Sequence, residues 1–65
     1  MKKLTKREKE VIQWIANGKT AWEIAVILNI KERTVNFHAN NAKKKFNVST
    51  RSQVAVEALR QGIIK

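Results

Sequence analysis

The sequence predicts an all-α fold, a compact four-helix unit, and three observations carry that prediction. Three Ser/Thr-x-x-Glu/Gln boxes mark helix starts, and the only two glycines stand where helices should stop. No segment alternates apolar and polar residues with period two over more than a few positions, which argues against strands. There is also no proline, no low-complexity run and no internal repeat, so residues 1–65 read as a single domain.

Thr5-Lys6-Arg7-Glu8 opens a first helix, expected over about 6–17, and Gly18 closes it in the left-handed conformation. Val11, Ile12 and Ile15 form its core stripe, with Glu8 in line and Trp14 to one side. Thr20-Ala21-Trp22-Glu23 opens a second helix, about 21–28, which buries Ile24, Ala25 and Leu28 and leaves Trp22 off the stripe. Asn29 closes it, because Asn tolerates positive φ better than other non-glycine residues. Asn29, Ile30 and Lys31 then connect to a longer helix, about 32–46, with Ile30 expected inside the turn. That start is weakly signalled, since Lys31 offers no side-chain acceptor for the free backbone N–H groups. Thr50-Arg51-Ser52-Gln53 opens the last helix, about 51–61, and Gly62 ends it. Its core side is expected at Ala55, Ala58 and Leu59, with Arg51 in line and Val54 on a flank.

The third helix divides into two faces. Val35, Ala39, Ala42 and Phe46 share a narrow apolar sector that must be core. Opposite lie Arg33, Phe37, Asn40 and Lys44, with Asn36 and Asn41 on the flanks. An ordinary solvated face would be mostly Glu and Lys. This one carries three Asn and an outward aromatic ring, and carboxamides can pair with adenine N6 and N7 while apolar groups read the thymine methyl. Phe37 could instead cover a neighbouring loop or a dimer contact. A short helix, a tight turn and a longer helix with a polar outer face together form the helix-turn-helix pattern. In that pattern Thr20 and the second helix's free N–H groups would face phosphate, while Thr20 also serves as a cap. Lys19, Arg33, Lys43, Lys44 and Lys45 flank this surface. Thr34 and Lys45 fall on one side of the reading face, and Asn36 and Lys43 on the other.

Composition points the same way. Fourteen Lys plus Arg stand against five Glu, for a net charge of +9, which suits a polyanion. The chain has no cysteine and a single histidine, His38, so no disulfide, metal site or cofactor is expected. So few titratable groups on so small a body weigh against an enzyme. No run approaches the ~20 apolar residues of a membrane span. Met1-Lys2-Lys3 leads into charge rather than a signal-peptide apolar stretch, and a cytoplasmic protein at the bacterial nucleoid is expected.

Two further expectations concern packing. An arginine in a first helical turn opposes the helix dipole, so Arg51 should have a partner, and a Glu8–Arg51 ion pair is expected. His38 sits at the edge of the core sector and reads as a packed, hydrogen-bonded residue, with a phosphate contact as the alternative. The outward side of the last helix, with Gln53, Val56, Glu57 and Arg60, is the candidate two-fold contact for a homodimer on DNA.

Nearly the whole chain resembles the C-terminal DNA-binding domain of the LuxR-type regulators. The resemblance runs from Leu4-Thr5-Lys6-Arg7-Glu8-Lys9-Glu10-Val11 through Glu23-Ile24-Ala25 and Leu28-Asn29-Ile30 to Arg33-Thr34-Val35-Asn36-Phe37-His38. It continues at Arg51-Ser52-Gln53 and Ala58-Leu59-Arg60-Gln61-Gly62. Thr20-Ala21-Trp22-Glu23-Ile24 and Thr34-Val35-Asn36-Phe37-His38 look more like the acyl-homoserine-lactone-responsive, quorum-sensing branch than the response-regulator branch. The resemblance implies a four-helix helix-turn-helix module that binds inverted-repeat promoter sites as a dimer, often through its last helix. It puts base-reading positions at Asn36, Phe37 and Asn40, and backbone contacts at positions including Thr20, Thr34 and Lys44. Lys31 departs from the Ser or Asp cap of many members. The sensory domain that such regulators carry has no counterpart in these residues, so no small-molecule ligand is expected in this chain.

The function expected is sequence-specific binding of double-stranded DNA by a bacterial transcriptional regulator, with RNA polymerase as a further partner. The alternatives are a small basic RNA-binding or ribosome-associated protein, disfavoured by an outer face with one aromatic rather than a stacking platform, and a module docking a partner protein. A membrane-active cationic helix is least compatible with so many caps.

Overall fold

The computed structural model describes residues 3–65, so the Met1-Lys2 start of the basic N-terminus lies outside the described residues. It contains α1 (Lys6–Ala16), α2 (Ala21–Leu28), α3 (Glu32–Phe46) and α4 (Arg51–Arg60), with no strand among the described residues. α1 and α4 each stop one residue before the end expected from sequence.

Local chemistry sets these bounds. Thr5, Thr20 and Thr50 each accept the backbone N–H three residues on, and Glu8, Glu23 and Gln53 reach back to the cap N–H. Such a cap contributes about 1 kcal/mol to its helix. α3 begins without one, because Lys31 makes no side-chain cap hydrogen bond. All four helices end in the same way. A residue with positive φ (Gly18, Asn29, Asn47, Gly62) turns the chain. The N–H that follows then bonds a carbonyl five residues back, as Lys19 to Trp14, Ile30 to Ala25, Val48 to Lys43 and Ile63 to Ala58. Asn47 was not anticipated, although an Asn directly after the last apolar residue of a helix is such a signal.

The core has two lobes that meet successive stretches of one face of α3. In one, Val11, Ile24, Ala25, Val35 and Ala39 are buried, with Trp14, Ile15, Leu28 and Ile30 packed around them. In the other, Ile12, Ala42, Val54, Ala58 and Ile64 are buried, with Leu4, Phe46, Val48 and Ile63 around them. Trp14 therefore belongs to the core margin rather than off the stripe. On α4 the buried residues are Val54, Ala55 and Ala58, whereas Leu59 is 49% exposed. The α4 face is thus rotated toward Val54, because that side meets α3 and the C-terminal Ile64. Gln13 holds this C-terminus through two hydrogen bonds to the Lys65 backbone, of 2.9 and 3.1 Å.

The expected Glu8–Arg51 pair does not form. Glu8 is 3% exposed and accepts a 2.6 Å bond from Lys45 Nζ, which also donates to the Lys3 carbonyl at 3.0 Å. Arg51 donates instead to Oδ1 of Asn36. Asn36 and Lys45 lie nine residues apart on α3, about 13 Å along its axis. The two polar ties therefore sit at separate levels, and α1 meets one while α4 meets the other. Lys45 is consequently turned inward rather than along the side of the reading face. His38 is half-buried with its ring edge against Phe37, 5.5 Å between centroids, and makes no hydrogen bond among the described residues, contrary to expectation.

Burial works against the charged form of Glu8, but the Lys45 hydrogen bond, the Thr5 backbone N–H and the charges of Lys45 and His38 outweigh it and lower its pKa. A carboxylate depressed on folding contributes stability above its unfolded pKa, and that contribution is lost as pH falls through the folded value. Glu8→Gln keeps the cap but removes the ion pair, so it should cost about 1–2 kcal/mol at neutral pH. It should also flatten the loss of stability on acidification. Urea melts of both chains at several pH values from neutral into the acid range check this. Glu23, held low by Thr20, and Glu57, held low by Arg60, are two further carboxylates whose charged form the fold favours.

Candidate nucleic-acid interface

α3 is held at one rotation by small buried residues, with Val35, Ala39 and Ala42 at 0–1% exposure. The side chains opposite are therefore presented outward. Arg33, Phe37, Asn40 and Lys44 are all exposed, Phe37 at 60%. Four residues at spacings of four, three and four make one stripe along the helix. Its ends are cationic and its middle is an aromatic ring beside a carboxamide. Thr34, Asn36, Asn41 and Lys43 form half-buried flanks. Asn36 is tied to Arg51, so it is not the free carboxamide that the wheel of α3 suggested.

Lys19 and Thr20 are exposed at the start of α2. The Thr20 hydroxyl accepts the Glu23 N–H at 3.2 Å, and Glu23 accepts the Thr20 N–H at 2.9 Å, so Thr20 is engaged as a cap. α2 and α3 are joined only by Asn29, Ile30 and Lys31, with Asn29 at φ 55° and ψ 47°. Ile30 tucks against the α2–α3 lobe of the core, as the turn requires.

On α4, Gln53, Val56 and Arg60 are exposed and Glu57 is half-buried. Gln53 is occupied by the cap at Ser49 and Thr50, and Glu57 by Arg60 and Gln61. The unengaged side chains of that side are Val56, 63% exposed, and Leu59 one turn on. α2 adds an apolar area that sequence reasoning did not assemble. Trp22, Val26 and Ile27 are exposed there, and a shallow cleft runs between Trp22, Val26, Asn29, Ile30 and Glu32. Among the described residues no group of His and Glu side chains could hold a metal ion, and no helix is long and apolar enough to cross a membrane.

A short capped helix, a three-residue turn through a left-handed Asn, and a longer helix with a polar and aromatic outer face define a helix-turn-helix DNA-binding domain. The family described as bacterial regulatory proteins, luxR family, matches residues 2–58. The chain belongs to that family, whose domain serves DNA-binding transcription regulation and is not an enzyme. It is 53% identical over 60 residues to the regulatory protein SdiA of Escherichia coli, covering 92% of this chain and 25% of SdiA. It is 51% identical over 63 residues to the quorum sensing-dependent transcriptional regulator RpaR of Rhodopseudomonas palustris, covering 97% of this chain and 26% of RpaR. The chain therefore spans about a quarter of the length of these relatives. The solved structure of the transcription factor GerE superposes with a TM-score of 0.91 at 39% identity, covering 95% of this chain and 92% of that one.

Phe37 touches no core lobe, so its truncation should leave stability within about 0.5 kcal/mol. Phe37→Ala should nevertheless weaken binding to a cognate duplex. Thermal melting beside fluorescence anisotropy separates the two effects, and a large loss of stability would place the ring in a structural role.

Proposed function

We propose that this domain binds double-stranded DNA sequence-specifically, with α3 in the major groove of an inverted-repeat promoter site and two copies on one site. The observation that carries the reading is the Arg33–Phe37–Asn40–Lys44 stripe, open to solvent and diametrically away from the buried Val35, Ala39 and Ala42. Arg33, Asn36, Phe37 and Asn40 are the base-reading set. Lys19, Thr20, Thr34, Asn41, Lys43 and Lys44 are the backbone contacts that fix its register. A net charge of +9 supplies the sequence-independent attraction to phosphate.

A domain this small reaches few phosphates, so useful affinity comes from linking two half-sites. The surface for that contact is α4, where Val56 and Leu59 are exposed, with Arg60, Glu57 and Gln53 around them. The Trp22–Val26–Ile27 area on α2 suits a protein rather than phosphate, and RNA polymerase is the partner proposed for it. SdiA, RpaR and other relatives that are several times longer support a place for this domain in a larger regulator, quorum sensing among its roles.

Asn40→Ala should cost about 1–3 kcal/mol on the cognate site and relax base preference at one position. Lys44→Ala should weaken all duplexes alike and reduce the salt slope by about one unit. Binding titrations on cognate and random duplexes at several salt concentrations distinguish them, and equal losses for Asn40→Ala on both would mean that it does not read sequence. A selection from random duplexes should enrich an inverted repeat. Val56→Lys should lower affinity for that repeat while leaving affinity for an isolated half-site unchanged, and enrichment of single half-sites would refute the two-copy arrangement.

A further inference from the structure

Arg51 is the first residue of α4, where its positive charge meets backbone N–H groups that already carry partial positive charge. The ion pairs among the described residues are Arg7–Glu10, Lys45–Glu8 and Arg60–Glu57, so no carboxylate offsets it. Its hydrogen bond runs from the guanidinium to Oδ1 of Asn36. A guanidinium has donors and no acceptor, so the Asn36 carboxamide can meet it only with its oxygen. Nδ2 then points the other way and has no partner among the described residues. Because no fully buried side-chain nitrogen or oxygen among those residues lacks a partner, Nδ2 is not sealed from solvent on the flank of α3, where Asn36 is half-buried.

We infer that Arg51 is a positioning residue for DNA reading: it locks the Asn36 carboxamide with its oxygen inward, so that Asn36 offers donors alone and reads guanine rather than adenine. The inference rests on the proposal that α3 lies in the major groove with Asn36 at a base edge. A free Asn serves adenine by accepting from N6 while donating to N7. The oxygen keeps a second lone pair, but its bond to Arg51 fixes it toward α4. That leaves the nitrogen as the half turned to the groove, where the adenine amino group would meet it donor to donor. Guanine presents N7 and O6, two neighbouring acceptors, and one nitrogen bearing two hydrogens can serve both, as a lysine ammonium does. The Arg51 charge polarises the amide and strengthens its donation. Asn40 is exposed and carries no such lock, so both halves of its amide remain available, and adenine is its natural partner. Two asparagines one turn apart thereby read different bases because only one has a guanidinium behind it.

Selection from randomised duplexes, run on the unaltered chain, Asn36→Ala, Arg51→Gln and Arg51→Lys, tests this. The unaltered chain should favour guanine over adenine roughly tenfold at the position whose preference vanishes in Asn36→Ala. Arg51→Gln offers Asn36 an acceptor as well as a donor, which frees the amide to turn over, and should lower that preference several-fold. Arg51→Lys remains a donor-only cation and should keep it. Circular dichroism reports whether each variant folds. An adenine preference of the unaltered chain at the Asn36-dependent position overturns the inference whether or not any Arg51 variant folds. A guanine preference that survives in folded Arg51→Gln also overturns it, and if affinity then drops equally on all sequences, Arg51 is a phosphate contact. In both cases the groove-reading proposal stands. If Asn36→Ala alters no base preference, that proposal fails for Asn36 and the inference falls with it.

Discussion

The rotation of α3 about its own axis is the constraint on which the rest of the molecule depends. Val35, Ala39 and Ala42 present so little bulk that α1, α2 and α4 all pack closely against the same helix. Any turn of α3 would expose these residues and bury Arg33, Asn40 or Lys44 without partners, at a cost of several kcal/mol for an unpaired charge. The outer stripe is thus presented because the inner one is closed. That is how a polar, aromatic surface stays available on a domain of 65 residues.

Two polar ties reinforce that rotation from the sides. Lys45 reaches down to Glu8, which caps α1 at the same time, so one carboxylate joins a helix start to the far end of α3. Arg51 reaches from the start of α4 to Asn36. The first tie lies near the C-terminal end of α3 and the second near its start, so the helix is held at both ends as well as along its core face. Charges that would otherwise be free for phosphate are spent on architecture. Lys45 is the example, and the exposed cationic surface is accordingly narrower than the Lys43-Lys44-Lys45 run suggests.

Much of this was legible in the residues. The three threonine boxes mark helix starts to the residue, and Gly18, Asn29 and Gly62 mark the ends, because each signal acts over three to five positions of one chain segment. The outward stripe of α3 was legible too, since a helix that must bury Val35 and Ala39 has only one direction left for Phe37 and Asn40. α4 was read less well. Val54, Val56 and Leu59 are all apolar and spread around its circumference, so periodicity could not choose between Leu59 and Val54 for the core. Contact with α3 and with Ile64, beyond the end of α4, made the choice. His38 and Trp14, both at the margins of stripes, were misjudged for the same reason.

The division follows the range of the forces. Helix limits and the inward and outward sides of α3 are properties of short stretches, governed by hydrogen bonds and apolar spacing within a few residues, and amino-acid order alone carried them. The partners of the charged side chains are not. Glu8 meets Lys45 across 37 positions and Arg51 meets Asn36 across 15, and a long flexible cation can satisfy any acceptor that packing brings within reach. Which acceptor that is depends on how four helices cross, and the crossing is set by the shapes of buried residues from all of them at once.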